Sequence, residues 1–117
     1  MPNPILYGIP NCETVKKARA WLAERGVEYE FHDYKKQGVD PARLDTWFRK
    51  VGWESLLNRS GTTWRKLDEA RKASITSPAA AKTLMREQPS VIKRPVVEVG
   101  AKLLVGFDPQ RYSKEFE

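Results

Sequence analysis

Apolar positions change their spacing twice within the first third of the chain. Ile5, Leu6 and Tyr7 form a short apolar run closed by Gly8-Ile9-Pro10-Asn11, which reads as a buried strand running into a turn. From Glu13 the spacing becomes helical. Val15, Ala18, Trp21 and Leu22 recur at three- and four-residue steps, Lys16, Lys17, Arg19 and Glu24 take the other face, and Gly26 is the expected stop. Val27, Tyr29 and Phe31 then alternate with Glu28, Glu30 and His32, the period of a half-exposed strand. The opening is therefore β-α-β, an order that requires a parallel pair.

Residues 40–86 read as a helical block. Asp40-Pro41 supplies an N-cap and first helical residue, Leu44, Trp47, Phe48 and Val51 share a face, and Gly52 ends the helix. Ser77-Pro78 opens a second helix through Ala81, Leu84 and Met85, closed off by Pro89. Between them lies a polar loop, Leu57-Asn58-Arg59-Ser60-Gly61-Thr62-Thr63-Trp64-Arg65. The chain finishes as a hairpin, Pro95 to Val99 and Lys102 to Val105 across Gly100-Ala101, and a helix capped at Asp108-Pro109. A parallel pair extended by an antiparallel hairpin, with helices on the faces, is the thioredoxin-like α/β plan. The expectation is one domain over 1–117, with a mixed-sheet core from 1–39 and 88–117 and a helical insertion, 40–87, between the β-α-β half and the hairpin-α half.

A chain of 117 residues, 40% hydrophobic and 31% charged, buries one ordinary core, which excludes a multi-domain enzyme. Four Trp, four Tyr and four Phe argue against wholesale disorder. A formal charge of +6 favours anionic partners without choosing among nucleic acid, phosphate, arsenate and glutathione. One Cys and one His provide neither a disulfide framework nor a zinc site within one chain, so no metal is expected. No apolar run approaches a membrane span, and the start, Met-Pro-Asn-Pro-Ile-Leu, lacks the pattern of a signal peptide, so a reducing cytoplasmic location is expected, with no membrane partner.

In such a compartment the lone thiol, Cys12, stays available for chemistry. It stands where the first loop meets the first helix, so unpaired helix N–H groups and the positive dipole end favour its thiolate, with Lys16 and Lys17 adding potential and Glu13 partly opposing it. Three residues on is Val15, so no C-x-x-C pair exists and an adduct on Cys12 needs an external thiol to resolve it. Glutathione, as co-substrate rather than bound cofactor, is the expected resolving thiol, with a glutaredoxin-type protein as another; its carboxylates suit a basic surface. The topology brings the turn carrying Cys12 beside the start of the third strand, where Arg94 precedes Pro95 and the X-Pro bond can be cis. Arg94, Pro95 and Asn11 are thus candidate substrate-binding residues, as are Arg59 and Arg65 in the polar loop; His32 receives no catalytic role.

Tyr7-Gly8-Ile9-Pro10-Asn11-Cys12-Glu13-Thr14-Val15-Lys16-Lys17-Ala18, Phe31-His32-Asp33-Tyr34-Lys35, Gly61-Thr62-Thr63-Trp64-Arg65-Lys66-Leu67, Ile92-Lys93-Arg94-Pro95-Val96 and Leu104-Val105-Gly106-Phe107 together resemble the ArsC family. That family includes glutathione- and glutaredoxin-linked arsenate reductases, Spx-type transcriptional regulators and the YffB proteins, the last being most similar. In the arsenate reductases a His in the first loop and three Arg assist the nucleophilic Cys. Here the His position is Gly8, the Arg expected after the Leu-Leu pair is Asn58 with Arg59 displaced by one, Arg94 is kept, and the third Arg site is Gly106. Each charge-assisted hydrogen bond contributes about 1.5 to 3 kcal/mol, so losing two Arg weakens oxyanion holding by well over tenfold. The resemblance implies a thiol oxidoreductase acting through Cys12, read here as a glutathione-dependent thiol reductase. The alternatives are an arsenate reductase with a reduced oxyanion site and, in another class, an Spx-like RNA-polymerase-binding adaptor, for which the usual C-x-x-C switch cannot form. Apart from that adaptor, the reading includes no nucleic-acid-associated partner.

Overall fold

The computed structural model describes residues 3–116; Met1, Pro2 and Glu117, at the ends of the expected domain, lie outside the described residues. The chain divides into two compact units, one from the described parts of Met1–Gln37 and Arg94–Glu117, the other from Gly38–Lys93.

The first unit is a thioredoxin-like mixed sheet with helices. Its strands are β1 (Ile5–Gly8), β2 (Glu30–Asp33), β3 (Val96–Val99) and β4 (Lys102–Val105), in spatial order β2-β1-β3-β4. The pair β1 and β2 is parallel, with Leu6 opposite Phe31, whereas β1 with β3 and β3 with β4 are antiparallel. Leu6, Val97 and Leu104 bury one sheet face against Val15, Ala18, Trp21 and Leu22 of α1 (Glu13–Glu24) and Tyr112 of the last helix, Pro109–Phe116. Trp21 and Tyr112 meet edge to face, ring centroids 5.6 Å apart.

The second strand is shorter than the alternation from Val27 predicts. Gly26 has φ +67°, its N–H donates to the Ala23 carbonyl at 3.1 Å, and the Val27 N–H donates to Leu22 O at 3.0 Å. These bonds satisfy the last carbonyls of α1 and keep Val27 out of the ladder. The sheet begins where the Glu30 N–H reaches Pro4 O at 2.8 Å. A further turn of helix that the sequence reading missed, α2 (Tyr34–Gln37), follows β2 directly.

The second unit is helical: α3 (Pro41–Val51), α4 (Trp53–Leu56), α5 (Thr62–Arg65), α6 (Glu69–Ser74) and α7 (Pro78–Glu87), then a 3-10 turn, Pro89–Val91. The last helix of the chain, in the first unit, is α8 (Pro109–Phe116). Asp40 caps α3 through Ala42 N at 2.9 Å, Asp68 caps α6 through Arg71 N at 2.7 Å, and Ser77 caps α7 through Ala80 N at 3.2 Å. Lys82 of α7 holds Asp45 of α3 at 3.0 Å. The unit extends past the expected 40–87 because the chain after α7 pairs back: Asn58 N donates to Val91 O at 2.8 Å and Lys93 N to Leu56 O at 2.7 Å. Residues 57–65, read from sequence as a loop, contain this pairing and the turn α5.

Candidate active site

Cys12 is the N-cap residue of α1, in extended backbone at φ −94° and ψ 129°. Its position follows from the turn before it: Cys12 N donates to Ile9 O at 3.2 Å, and Cys12 O accepts the first helical bond, from Lys16 N at 2.9 Å. The side chain is half-buried. It makes no capping bond of good geometry, yet the free N–H groups of the first turn lie close enough to act on the sulfur. Burial by itself pushes the thiol pKa up. The Val15 N–H, a hydrogen bond from the Arg94 side chain, the Thr14 N–H and the Arg94 charge more than reverse this, so the pKa lies below the ordinary value.

Arg94 lies two residues before the first residue of β3, and its bond to Pro95 is cis. Its guanidinium donates to the Cys12 sulfur and to the Tyr34 hydroxyl. Burial lowers the Arg94 pKa, but these two bonds outweigh it and the net shift is upward. Tyr34, at the start of α2, is fully buried. Its burial is the largest influence on the hydroxyl, which is pushed up to about 12 despite the bond from Arg94. The turn that carries it is fixed by Asp33, whose carboxylate accepts from Lys35 N at 3.1 Å and Lys36 N at 3.3 Å. Sequence reasoning missed Tyr34 as a site residue. The one signal in the sequence was a single aromatic side chain set among the polar residues Asp33, Lys35, Lys36 and Gln37.

The other expected site residues divide between the units. Pro95 is buried, and its carbonyl accepts from Gly106 N at 2.8 Å; Asn11 is exposed in the turn before Cys12. Arg59 and Arg65 are exposed and belong to the second unit. There Arg59 lies over Trp53 and Trp64, 6.0 and 5.7 Å from the ring centroids. Lys16, expected to add potential at the thiol, instead faces Glu13 at 3.5 Å, and Arg94 from the far end of the chain supplies the cation. His32 stacks on Tyr7 with centroids 4.8 Å apart. Among the described residues, no group of three or more His, Cys, Asp and Glu gathers as a metal site, and no helix is long and apolar enough to cross a membrane.

A sequence model of the ArsC family matches residues 7–115. The chain belongs to the ArsC family. Within the family it is similar to an uncharacterised protein of Haemophilus influenzae, at 42% identity over 95% of this chain and 96% of that one. A solved structure described as a YffB protein is 51% identical, covers 98% of this chain and all of its own at 100%, and superposes with a TM-score of 0.93. A more distant relative is the global transcriptional regulator Spx of Streptococcus agalactiae, 27% identical over 88% of this chain and 75% of that one. Its relatives thus include a regulator and, at 50% identity over 98% of this chain and 95% of that one with a TM-score of 0.76, a solved arsenate reductase (ArsC) related protein of Brucella melitensis.

Two positions where the ArsC resemblance implies His and Arg are glycines for local reasons. A Cβ at Gly8 would stand 2.8 Å from Val15 Cγ2. Gly106 has φ +81°, and it is held between Pro95 O and the Tyr112 hydroxyl, which donates to Gly106 O at 2.8 Å.

Proposed function

We propose that the protein is a glutathione-dependent thiol reductase in which Cys12 is the nucleophile. The observation that carries this reading is the Arg94 guanidinium hydrogen-bonded to the Cys12 sulfur at a helix N-terminus, an arrangement that favours the thiolate over the thiol. The thiolate attacks the glutathione-side sulfur of a mixed disulfide between glutathione and a substrate thiol. A Cys12–glutathione disulfide forms, the original sulfur–sulfur bond breaks, and the substrate leaves as a thiolate that takes a proton from water. With Cys12 the sole cysteine, the adduct waits for an external thiol. A second glutathione attacks it as thiolate, giving oxidised glutathione and restoring the Cys12 thiolate. The net change consumes one reduced glutathione: the disulfide passes from the substrate to Cys12 and then to a pair of glutathiones, and the substrate sulfur is left as a thiol. Arg94 steadies the sulfur that carries charge in each step and is available to a substrate carboxylate.

Treatment with oxidised glutathione, read by intact mass spectrometry, tests the first half. The expected result is one glutathionyl group on Cys12, removed by reduced glutathione. Unmodified protein, under conditions where free cysteine reacts, overturns the reading.

The similarity to Spx favours a second reading, a regulatory adaptor that binds RNA polymerase. An adaptor of that kind has no need of a thiolate at Cys12. Saturable chemical-shift changes clustered at Cys12 and Arg94 during a glutathione titration would exclude it, and their absence would favour it.

A further inference from the structure

Arg94 is the residue through which the first unit acts on the thiol, yet it sits on a turn between a 3-10 segment and a strand and carries a long, flexible side chain. Something must hold the guanidinium at the sulfur. The Tyr34 hydroxyl bonds the same guanidinium, and Tyr34 is itself at 0% exposure on a turn of helix packed against β1 and β2. We infer that Tyr34 is a positioning residue: its buried hydroxyl accepts from Arg94 and fixes the guanidinium against the Cys12 sulfur. A benzene ring alone would fill the same space, so packing accounts for the ring and leaves the hydroxyl to be explained. An oxygen in that place satisfies one guanidinium N–H and directs another toward the sulfur, in the forked geometry that a planar five-donor group imposes.

Several nearby charges are engaged elsewhere or face solvent. Glu13 and Lys16 of α1 face one another, Asp33 of β2 receives the α2 amides, and Lys17, Lys35 and Lys36 are exposed. The inference deepens the thiol reading proposed above and rests on it, since it concerns what keeps Cys12 a thiolate.

Alkylation rate against pH reads the thiol directly and needs no glutathione. Tyr34→Phe is expected to raise the apparent Cys12 pKa by roughly half to one unit, three- to tenfold less thiolate at neutral pH. In an Arg94→Ala background the same change is expected to have no further effect, because Tyr34 acts through Arg94. An unchanged or lowered pKa in Tyr34→Phe, or an equal shift with and without Arg94, overturns the inference. A parent whose thiol pKa is not lowered overturns instead the activated-thiol reading. A second measurement leaves Tyr34 in place, should Tyr34→Phe fail to fold. In Cys12→Ser the Arg94 Nη signals should remain resolved by nitrogen NMR, as for a guanidinium still held by its acceptor, and averaged signals there would equally overturn the inference.

Discussion

Adding one carbon at Gly8 is expected to destabilise the protein and to weaken the thiol at the same time. The Cβ of Gly8→Ala would lie 2.8 Å from Val15 Cγ2 and 3.3 Å from Cγ1. Val15 is fully buried on the core face of α1, and a β-branched side chain in a helix has essentially one rotamer, so it cannot swing aside. Relief must come from the first turn of α1 moving off β1. Overpacking of this kind costs about 1 to 3 kcal/mol, and the smaller conformational freedom of the unfolded chain with Ala in place of Gly offsets about 0.4 to 1 kcal/mol of it. A net loss of about 1 to 2 kcal/mol corresponds to a fall in Tm of roughly 4 to 10 °C. Urea denaturation should show a lower midpoint at unchanged slope. Because the displaced turn carries the Thr14 and Val15 amides that act on Cys12, alkylation should also shift to higher pH. The cause is isolated by repeating Gly8→Ala in a Val15→Ala background, where the colliding methyls are gone and the added carbon should cost almost nothing. If Gly8→Ala is as stable as the parent, or loses as much in both backgrounds, the steric reasoning is wrong.

Arg94→Ala should weaken glutathione binding about ten- to a hundredfold, the worth of one charge-assisted bond at roughly 1.5 to 3 kcal/mol, and Arg94→Lys should recover only part, as measured by calorimetry or NMR titration. Equal affinity in all three proteins would remove Arg94 from the binding site. Arsenate reduction with glutathione and glutaredoxin should be weak or absent, and Gly8→His should lower stability rather than restore it; efficient turnover at micromolar arsenate would refute this. Stability should depend on pH through Cys12 with a definite sign: its folded pKa lies below the ordinary 9.0, so its contribution is full above 9.0 and is lost as pH falls through the folded value. The urea midpoint of the parent relative to Cys12→Ser should therefore rise from neutral pH toward 9, and a flat difference would count against a folded-state thiolate. Tyr34 acts in the opposite direction and later, its contribution being present below its ordinary 10.0 and lost as pH rises through about 12.

What could be read from the sequence was whatever local chemistry determines. The Asp40-Pro41, Ser77-Pro78 and Asp108-Pro109 pairs mark the starts of α3, α7 and α8 because a short acceptor side chain and a fixed φ specify a helix start without tertiary help. The order β-α-β then hairpin is enough to bring Arg94 to Cys12. The helical turns α2, α4 and α5 were not legible, since four residues carry no period and such turns exist through packing, as with the buried Trp64 of α5. The Val27 error has the same origin. Its alternation is real, but the closing bonds of α1 claimed its N–H first. Tyr34 stands within the Phe31-His32-Asp33-Tyr34-Lys35 segment, yet its role depends on a cation sixty residues away in sequence, a separation that no local pattern encodes.

The departures from the arsenate-reductase pattern share one physical character. At each of the three positions the residue present completes a tight piece of backbone that the larger residue would disturb. Gly8 admits Val15, and Gly106 occupies φ +81° while bonding Pro95 and Tyr112. Asn58 accepts from Ser60 Oγ at 3.0 Å, and its Nδ2 fills the space into which a Cβ at Gly61 would project, 2.8 Å away. An arginine or histidine placed at any one of them would therefore bring a cost in local structure along with its charge. Restoring an oxyanion site by single substitutions should fail for that reason, and the failure should appear in stability before it appears in turnover. Arg94 stands outside this constraint: it occupies the bend ahead of β3, and its guanidinium already has two bonding partners in Cys12 and Tyr34. A single guanidinium so held can steady one thiolate, and it falls short of the several cations that hold the spread charge of a tetrahedral oxyanion.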